Sequence, residues 1–174
     1  MKKQFLFKAL FLLTAFIFFP GQGVFSLDDA GGHGLAAGAG PEWNMNSRHN
    51  FAGGFYLAFD YSLPSLPLAL GLGAAGSYNF SNAVVVEANS FLRWYFPGVR
   101  HSGFFVQADA GFYYIMETVM GTRETFPMFM GGLRLGYRLP LGRSFYIEPY
   151  GRGGYPFVFS VGLMAGIRFQ RGVL

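Results

Sequence analysis

The segment FAGGFYLAFDYSL, residues 51–63, decides the fold because its bulky apolar residues recur at every second position. Phe55 and Leu57 belong to that bulky set, whereas the intervening positions hold small or polar residues such as Asp60. An amphipathic helix would need apolar residues at spacings of three and four, and alternation at two is typical of a β-strand. The segment therefore predicts a strand with one bulky apolar face and one small or polar face.

The same alternation recurs along the chain of 174 residues and predicts seven clear strands. A weaker eighth strand is predicted at residues 33–43, where glycine and alanine dominate. Glycine is frequent inside most of these segments, which argues against helices of the same length. The chain is therefore predicted to be all-β. The seven clear strands are predicted at residues 51–63, 68–80, 84–96, 104–114, 129–139, 145–150 and 157–169.

Turn-forming residues separate the predicted strands. Polar loops are predicted at residues 44–50 and 117–125, and shorter links at residues 80–83 and 153–156. Strands joined by such short connections run antiparallel, so the predicted order is up-and-down. Turns rich in proline and glycine are predicted at residues 62–67, 97–102 and 140–144.

The bulky faces carry no charged residue, and this decides which solvent they contact. In a soluble, lipocalin-like barrel, which is the alternative fold, every bulky face would have to fit into one small interior. In a membrane the bulky faces would contact lipid, where a single arginine costs about 2–4 kcal/mol at the midplane. We therefore predict an up-and-down antiparallel eight-stranded transmembrane β-barrel whose charged side chains point into the lumen. The predicted lumen ion network comprises Asp60, Glu87, Arg93, Asp109, Arg134, Arg138, Glu148 and Arg168, with Arg152 as a further candidate.

Simple hairpin geometry brings Arg134 near Asp109 across one turn and near Glu148 across the next. Because a charge in a narrow interior is costly unless it is paired, we predict that these three side chains form ion pairs that help to close the lumen. The alternative is that each charge contacts lumen water or a tyrosine hydroxyl. Four apolar residues also point inward, where they would either line a path for apolar solutes or fill space. They are Phe91, Phe105, Tyr113 and Met164.

Aromatic residues gather near the ends of the predicted strands. Such a girdle is expected where a barrel passes through the two interfaces of a membrane. The predicted aromatic girdle comprises Tyr78, Phe80, Trp94, Phe96, Phe104, Phe112, Tyr114, Phe157 and Phe169.

The first 26 residues are typical of a secretory signal peptide. Lysines at positions 2, 3 and 8 precede an apolar stretch at residues 9–19, which is too short to span a bilayer comfortably. Pro20 and Gly21 end that stretch, and we expect cleavage before Leu27. The alternative is an uncleaved membrane anchor. The predicted organisation is a signal peptide at 1–26, a barrel at 27–169 and a short tail at 170–174.

Composition excludes several classes of function. The formal charge of +4 comes largely from the three lysines of the signal segment, so ten arginines and nine acids leave the rest of the chain nearly neutral and without the charge needed to bind nucleic acid. There is no cysteine, and His33, His49 and His101 are scattered in sequence, so we predict no metal site, no cofactor and no catalytic residue. The protein is expected not to be an enzyme.

The signal peptide, the strand count and the last strand together resemble the small eight-stranded outer-membrane barrels of diderm bacteria, of the OmpA-transmembrane, OmpX and OmpW type. The last strand, residues 160–169, ends in Phe169 and looks like the carboxy-terminal assembly signal of that class. The resemblance implies location in the outer membrane, contact with its lipid, recognition by the β-barrel assembly machinery through the last strand, and a monomer. It implies a structural or surface-interaction role with a plugged lumen or, alternatively, a narrow OmpW-like channel for small or apolar solutes.

Overall fold

A computed structural model describes residues 34–46, 51–64, 66–79, 83–96, 102–119 and 122–170, with only the backbone given for 117–119, 122–126 and 170. The predicted signal peptide, the three histidines and the girdle residue Phe80 lie outside the described residues. Within them there is no helix long and apolar enough to cross a membrane.

Eight strands close into a barrel in chain order, and each strand pairs antiparallel with its two neighbours. The predicted fold class, an all-β up-and-down barrel of eight strands, is confirmed. The amino terminus of the first strand and the carboxy terminus of the last lie side by side at one end of the barrel, where Gly34 pairs with Gln170. We call this the terminal end and the opposite end the loop end. The strands are β1 (Gly34–Asn46), β2 (Phe51–Ser62), β3 (Leu68–Tyr78), β4 (Ala83–Tyr95), β5 (Gly103–Val119), β6 (Thr122–Leu141), β7 (Phe145–Tyr155) and β8 (Phe157–Gln170).

The hairpin of β5 and β6 is longer than the sequence predicted. The polar loop predicted at residues 117–125 is wrong, because pairing continues to Val119 and Thr122. Pairing of β6 with β7 begins only at Gly131, so nine residues of β6 project past the end of β7 and pair with β5 alone, whereas β5 pairs with β4 as far as Glu117. The sequence of residues 117–125 is mostly polar and shows no apolar alternation, so local periodicity does not indicate the strands that pairing of β5 with β6 creates.

Two other predicted connections are also shorter in the structure. The strand β1 continues to Asn46, so the first three residues of the predicted loop at 44–50 are strand. The link predicted at 153–156 shrinks to Pro156, because β7 runs to Tyr155 and β8 begins at Phe157. The turn between β6 and β7 contains Gly142 with a φ of 71°, a backbone conformation that favours glycine.

Glycine and alanine in β1 and β8 make room for large side chains inside the barrel. A Cβ atom added at Gly162 would collide with the ring of Tyr150, and one added at Gly38 or Gly166 would collide with Tyr146. Small residues on β1 and β8 therefore leave space for the tyrosine side chains of β7. This explains why apolar alternation is so weak in the sequence of β1.

Burial alternates along the strands in the phase that the sequence predicted: bulky apolar residues such as Phe59 and Leu133 point outward. The described side chains on the outward strand positions include no charged group. One outward assignment is wrong, since Phe157 is buried and only 7% exposed. The register of β1 with β8 shifts between Met45 and Asn46, so Asn46 pairs with Phe157, and this irregularity turns Phe157 inward at the start of β8.

Candidate functional site: the barrel lumen

The lumen is filled by charged and aromatic side chains. Among the described residues, nine charged side chains are buried in the lumen, and none of these residues has more than 4% of its surface exposed. Burial at this level requires that the charges be paired and hydrogen-bonded. The five carboxylates are Glu42, Asp60, Glu87, Asp109 and Glu148, and the four guanidinium groups are Arg93, Arg134, Arg138 and Arg152.

Two arginines and two carboxylates form a cluster near the terminal end. Arg93 donates two hydrogen bonds to Glu148, each of 2.9 Å, and Arg138 donates two to Asp60, of 2.7 and 3.2 Å. The Nε of Arg138 also donates to Glu148 at 2.7 Å. The pair of Arg93 and Glu148 joins β4 to β7, and the pair of Arg138 and Asp60 joins β6 to β2. Neither pair of strands is adjacent in the wall, so these two ion pairs run across the lumen. Bidentate pairs of this kind, in which a guanidinium group donates two hydrogen bonds to one carboxylate, are among the strongest hydrogen-bonded pairs in proteins.

Aromatic rings surround this terminal-end cluster. The guanidinium carbon of Arg93 lies 4.1 Å from the ring centroid of Phe105, and that of Arg138 lies 4.2 Å from the ring centroid of Tyr146. Stacking of this kind offsets part of the hydration that the arginines lose on burial. Of the apolar residues proposed for a solute path, Phe105 therefore packs against an ion pair.

The middle of the lumen is occupied by Arg134 between two tyrosines. Its guanidinium carbon lies 4.1 Å from the ring centroid of Tyr56 and 4.3 Å from that of Tyr150. Its nitrogens have no hydrogen-bond partner among the described residues, and the nearest carboxylate oxygen, of Asp109, lies 3.8 Å from Nε. Two aromatic rings thus enclose Arg134, and its ion pair with Asp109 has no hydrogen bond among the described residues.

Asp109 is positioned by amide side chains. Asn89 and Gln107 donate to the same oxygen of Asp109, at 2.9 and 2.6 Å. Gln107 in turn accepts a hydrogen bond of 2.8 Å from Nε of Arg93. A continuous polar network therefore runs from the terminal-end cluster to the middle of the lumen.

A third cluster lies toward the loop end. Arg152 donates to Glu87 at 2.8 and 3.2 Å and pairs with Glu42 at 3.2 Å, while the hydroxyl of Tyr150 donates to Glu42 at 2.8 Å. Sequence reasoning missed Glu42. The alternation of Glu42 with the exposed Trp43 could have indicated that Glu42 points inward. The glycine and alanine residues of β1 weaken the alternation along the rest of that strand.

The structure corrects the predicted partners of Arg134. Arg134 does approach Asp109, but Glu148 pairs with Arg93 and Arg138 instead. In the hairpin of β6 and β7 the residue opposite Arg134 is Arg152, because the centre of the turn lies one residue later than the sequence estimate placed it. A shift of one residue at the turn moves the cross-strand partner by two positions.

Arg168 does not join the network. It forms no ion pair with any residue that the structure describes, although its Nε is buried. It lies opposite Ala36 on β1, two residues from the pair of Gly34 and Gln170 at the terminal end. The structure therefore brings together seven of the eight predicted network residues and the further candidate Arg152, adds Glu42, and leaves Arg168 apart.

Most of the predicted girdle residues lie on the outer surface. Phe104 is half-buried and packs against Phe96 with ring centroids 5.1 Å apart. Phe157 is the exception described above. Trp43 and Phe51, which the sequence did not single out, are also more than half exposed on the outer face. The exposed members of the predicted girdle are Tyr78, Trp94, Phe96, Phe112, Tyr114 and Phe169.

The described residues include no group of three or more histidine, aspartate or glutamate side chains arranged to hold a metal ion. Each lumen carboxylate except Asp109 has an arginine partner at 3.2 Å or closer. The chemistry of the lumen in the described part of the barrel is therefore that of charge pairing.

Solved structures that are similar to the barrel include the following three. The N-terminal β-barrel domain of OprF from Pseudomonas aeruginosa has 15% identity and a TM-score of 0.52, with 79% of this chain and 98% of that chain covered. Neisserial surface protein A has 12% identity and a TM-score of 0.56, with 80% and 97% covered. Ail, the attachment invasion locus protein of Yersinia pestis, solved in complex with the heparin analogue sucrose octasulfate, has 12% identity and a TM-score of 0.56, with 79% and 99% covered.

These similarities confirm the resemblance to small eight-stranded barrels of this class at the level of the fold. No protein-family model and no sequence of a curated protein matches the chain.

Proposed function

We propose that the protein is an integral outer-membrane β-barrel with a closed lumen and a structural or surface-interaction role. The observation that carries the proposal is the inverted polarity of the barrel. Phe59 and Leu133 are 63% and 60% exposed on the outside, whereas Arg93 and Glu148 are fully buried inside. Such an exterior is stable in lipid and poorly soluble in water.

The three solved structures named above support this placement, because their descriptions give a β-barrel domain, a surface protein and an attachment invasion locus protein. On this proposal the amino-terminal segment directs export, and the terminal end lies on the periplasmic side. The hairpin end of β5 and β6, where β6 extends past β7, then lies outside the cell and supports a surface-interaction role.

A closed lumen is supported by the ion pairs that connect opposite walls. A solute passing along the axis would have to separate Arg93 from Glu148 and Arg138 from Asp60, each held by two hydrogen bonds. Separating a buried, doubly bonded pair costs several kcal/mol. This favours a plug over the alternative role as a narrow channel.

The barrel itself is tested by fractionation and electrophoresis. We expect the full chain to be recovered in the outer-membrane fraction and to migrate faster before boiling than after it, because a closed barrel resists unfolding by detergent. Recovery in the soluble periplasmic fraction would overturn the proposal.

The plug is tested by conductance across planar bilayers. We expect no single-channel steps from the wild-type protein or from the outward-facing control Ser90→Ala, and we expect steps from Arg138→Ala, which removes one ion pair that spans the lumen. Steps from the wild-type protein would instead establish the narrow channel.

A further inference from the structure

Met128 lies in the projecting part of β6 and accepts hydrogen bonds from two tyrosines. The hydroxyl of Tyr113 on β5 lies 3.1 Å from its sulfur, and the hydroxyl of Tyr155 on β7 lies 3.8 Å from it. The two tyrosine rings pack edge to face with centroids 5.7 Å apart. One sulfur atom is thus approached by hydroxyl groups from the strands on both sides of β6.

Met128 is also the methionine most open to solvent among the described residues. It is 39% exposed, whereas Met130 is 6% exposed and Met164 is fully buried. It lies two residues from the inward-facing Met130, on the same face of β6, and past the last residue of β6 that pairs with β7. A water-soluble oxidant can therefore reach it.

We propose that Met128 is a site of reversible oxidation to methionine sulfoxide by peroxides, and that the sulfoxide ties the projecting part of β6 to β7. In the reaction a lone pair of the sulfur attacks one oxygen of hydrogen peroxide and the O–O bond breaks. The second oxygen leaves as water after taking the proton of the first, so the sulfur is oxidised and the peroxide is reduced. Methionine sulfoxide reductases reverse this modification with a thiol reductant.

Oxidation of Met128 replaces one hydrogen-bond acceptor, the thioether sulfur, with another, the sulfoxide oxygen. A thioether sulfur accepts hydrogen bonds weakly, whereas a sulfoxide oxygen is polar and accepts them well. Residues 122–130 of β6 have no backbone pairing with β7. A sulfoxide held by Tyr113 and Tyr155 would therefore connect β5, β6 and β7 at the level where the wall lacks a backbone ladder. Oxidation is expected to stabilise this region, whereas sulfoxide formation inside an apolar core disrupts packing.

The test uses the full chain folded in detergent micelles and treated with hydrogen peroxide. Peptide mass spectrometry should show Met128 oxidised several-fold faster than the half-buried Met45 and Met116. The thermal midpoint of the oxidised protein should rise by about 2–4 °C, which corresponds to one additional hydrogen bond in a domain of this size. Limited proteolysis within the hairpin should slow in parallel.

Two variants serve as controls. Met128→Leu keeps the apolar volume and should show no rise in midpoint after peroxide treatment. Tyr113→Phe combined with Tyr155→Phe keeps the rings and the exposed sulfur, so Met128 should still be oxidised but the midpoint should not rise. A midpoint that falls or stays constant in the oxidised wild-type protein overturns the proposal, as does a rise of equal size in the tyrosine double variant or preferential oxidation of Met45.

Discussion

At the scale of single residues, Glu148 connects the two arginines of the terminal-end cluster. It accepts hydrogen bonds from both Arg93 and Arg138, which approach it from different strands. Because the carboxylate is fully buried, its removal leaves two guanidinium groups facing each other with one carboxylate, Asp60, between them. Stability of the lumen thus depends on this one side chain more than on any exposed charge.

We expect Glu148→Ala to lower the free energy of unfolding by about 3–5 kcal/mol, the usual cost of removing one partner from a buried ion pair. Urea unfolding in detergent micelles, followed by tryptophan fluorescence, measures the change. Arg143→Ala, in the exposed turn between β6 and β7, is the matched control and should change stability by less than about 0.5 kcal/mol. Equal midpoints for the two variants would contradict the assignment of Glu148 to a buried pair.

At the scale of the strand, the glycines of β8 allow the tyrosines of β7 to fill the lumen. Gly162 faces the ring of Tyr150, which in turn stacks on Arg134 and donates to Glu42. A methyl group at this position would displace the ring and disturb both contacts.

Gly162→Ala is therefore expected to destabilise the barrel by about 1–3 kcal/mol, the usual cost of overpacking. At Gly76, on the outward face of β3, an added Cβ would meet no atom within 4 Å, so Gly76→Ala should be neutral or slightly stabilising. Thermal unfolding of the two variants side by side provides the comparison. If both lose stability equally, general strand effects rather than the contact with Tyr150 account for the loss.

The projecting part of β6 presents an uncovered strand edge with Pro127 near its centre. The pairing of β6 with β5 is unbroken through Pro127, so its missing N–H group faces the uncovered edge. By contrast, the register of β6 with β7 skips the pair of Tyr137 and Pro149, where a missing N–H group faces the neighbouring strand. Proline on an uncovered edge hinders pairing with another chain.

We expect Pro127→Thr to promote self-association, because threonine supplies the missing donor and favours strands. Light scattering of the protein in detergent, after size-exclusion chromatography, measures the mass of the complex. Pro149→Thr places the new N–H group within the closed wall and should leave that mass unchanged. If the Pro127→Thr variant stays at the wild-type mass at high protein concentration, Pro127 does not prevent association through the edge of β6.

At the scale of the whole molecule, the barrel has inverted polarity: apolar side chains cover the outside and charges fill the inside. The natural chain contains no cysteine, so single-cysteine variants can report accessibility without background labelling. Leu133 is an outward position in the wall, and Arg143 is exposed in the turn between β6 and β7.

In liposomes we expect a water-soluble maleimide to label Arg143→Cys. If the turn faces the interior of the liposome, the bilayer is first made permeable to the reagent. Leu133→Cys should stay unlabelled until detergent dissolves the bilayer, because its side chain lies in lipid. Mass spectrometry of the labelled protein quantifies the difference. Rapid labelling of Leu133→Cys in intact liposomes would place the bulky face in water and would favour the soluble barrel.

The sequence by itself determined the strand type, the number of strands and the face that points outward. It could do so because side chains alternate strictly between the two faces of a strand, so a period of two and the position of charges carry that information locally. The inward placement of Asp60, Glu87 and Arg93 followed from the same alternation.

Only the tertiary structure decided which charges meet. Partners such as Arg93 and Glu148 lie on strands that are far apart in sequence, and their pairing depends on the register of every strand between them and on closure of the barrel. An error of one residue at the turn of β6 and β7 was enough to assign Arg134 the wrong partner. The length of the β5–β6 hairpin, the inward turn of Phe157 and the role of Glu42 were likewise decided by contacts between strands, which local periodicity does not contain.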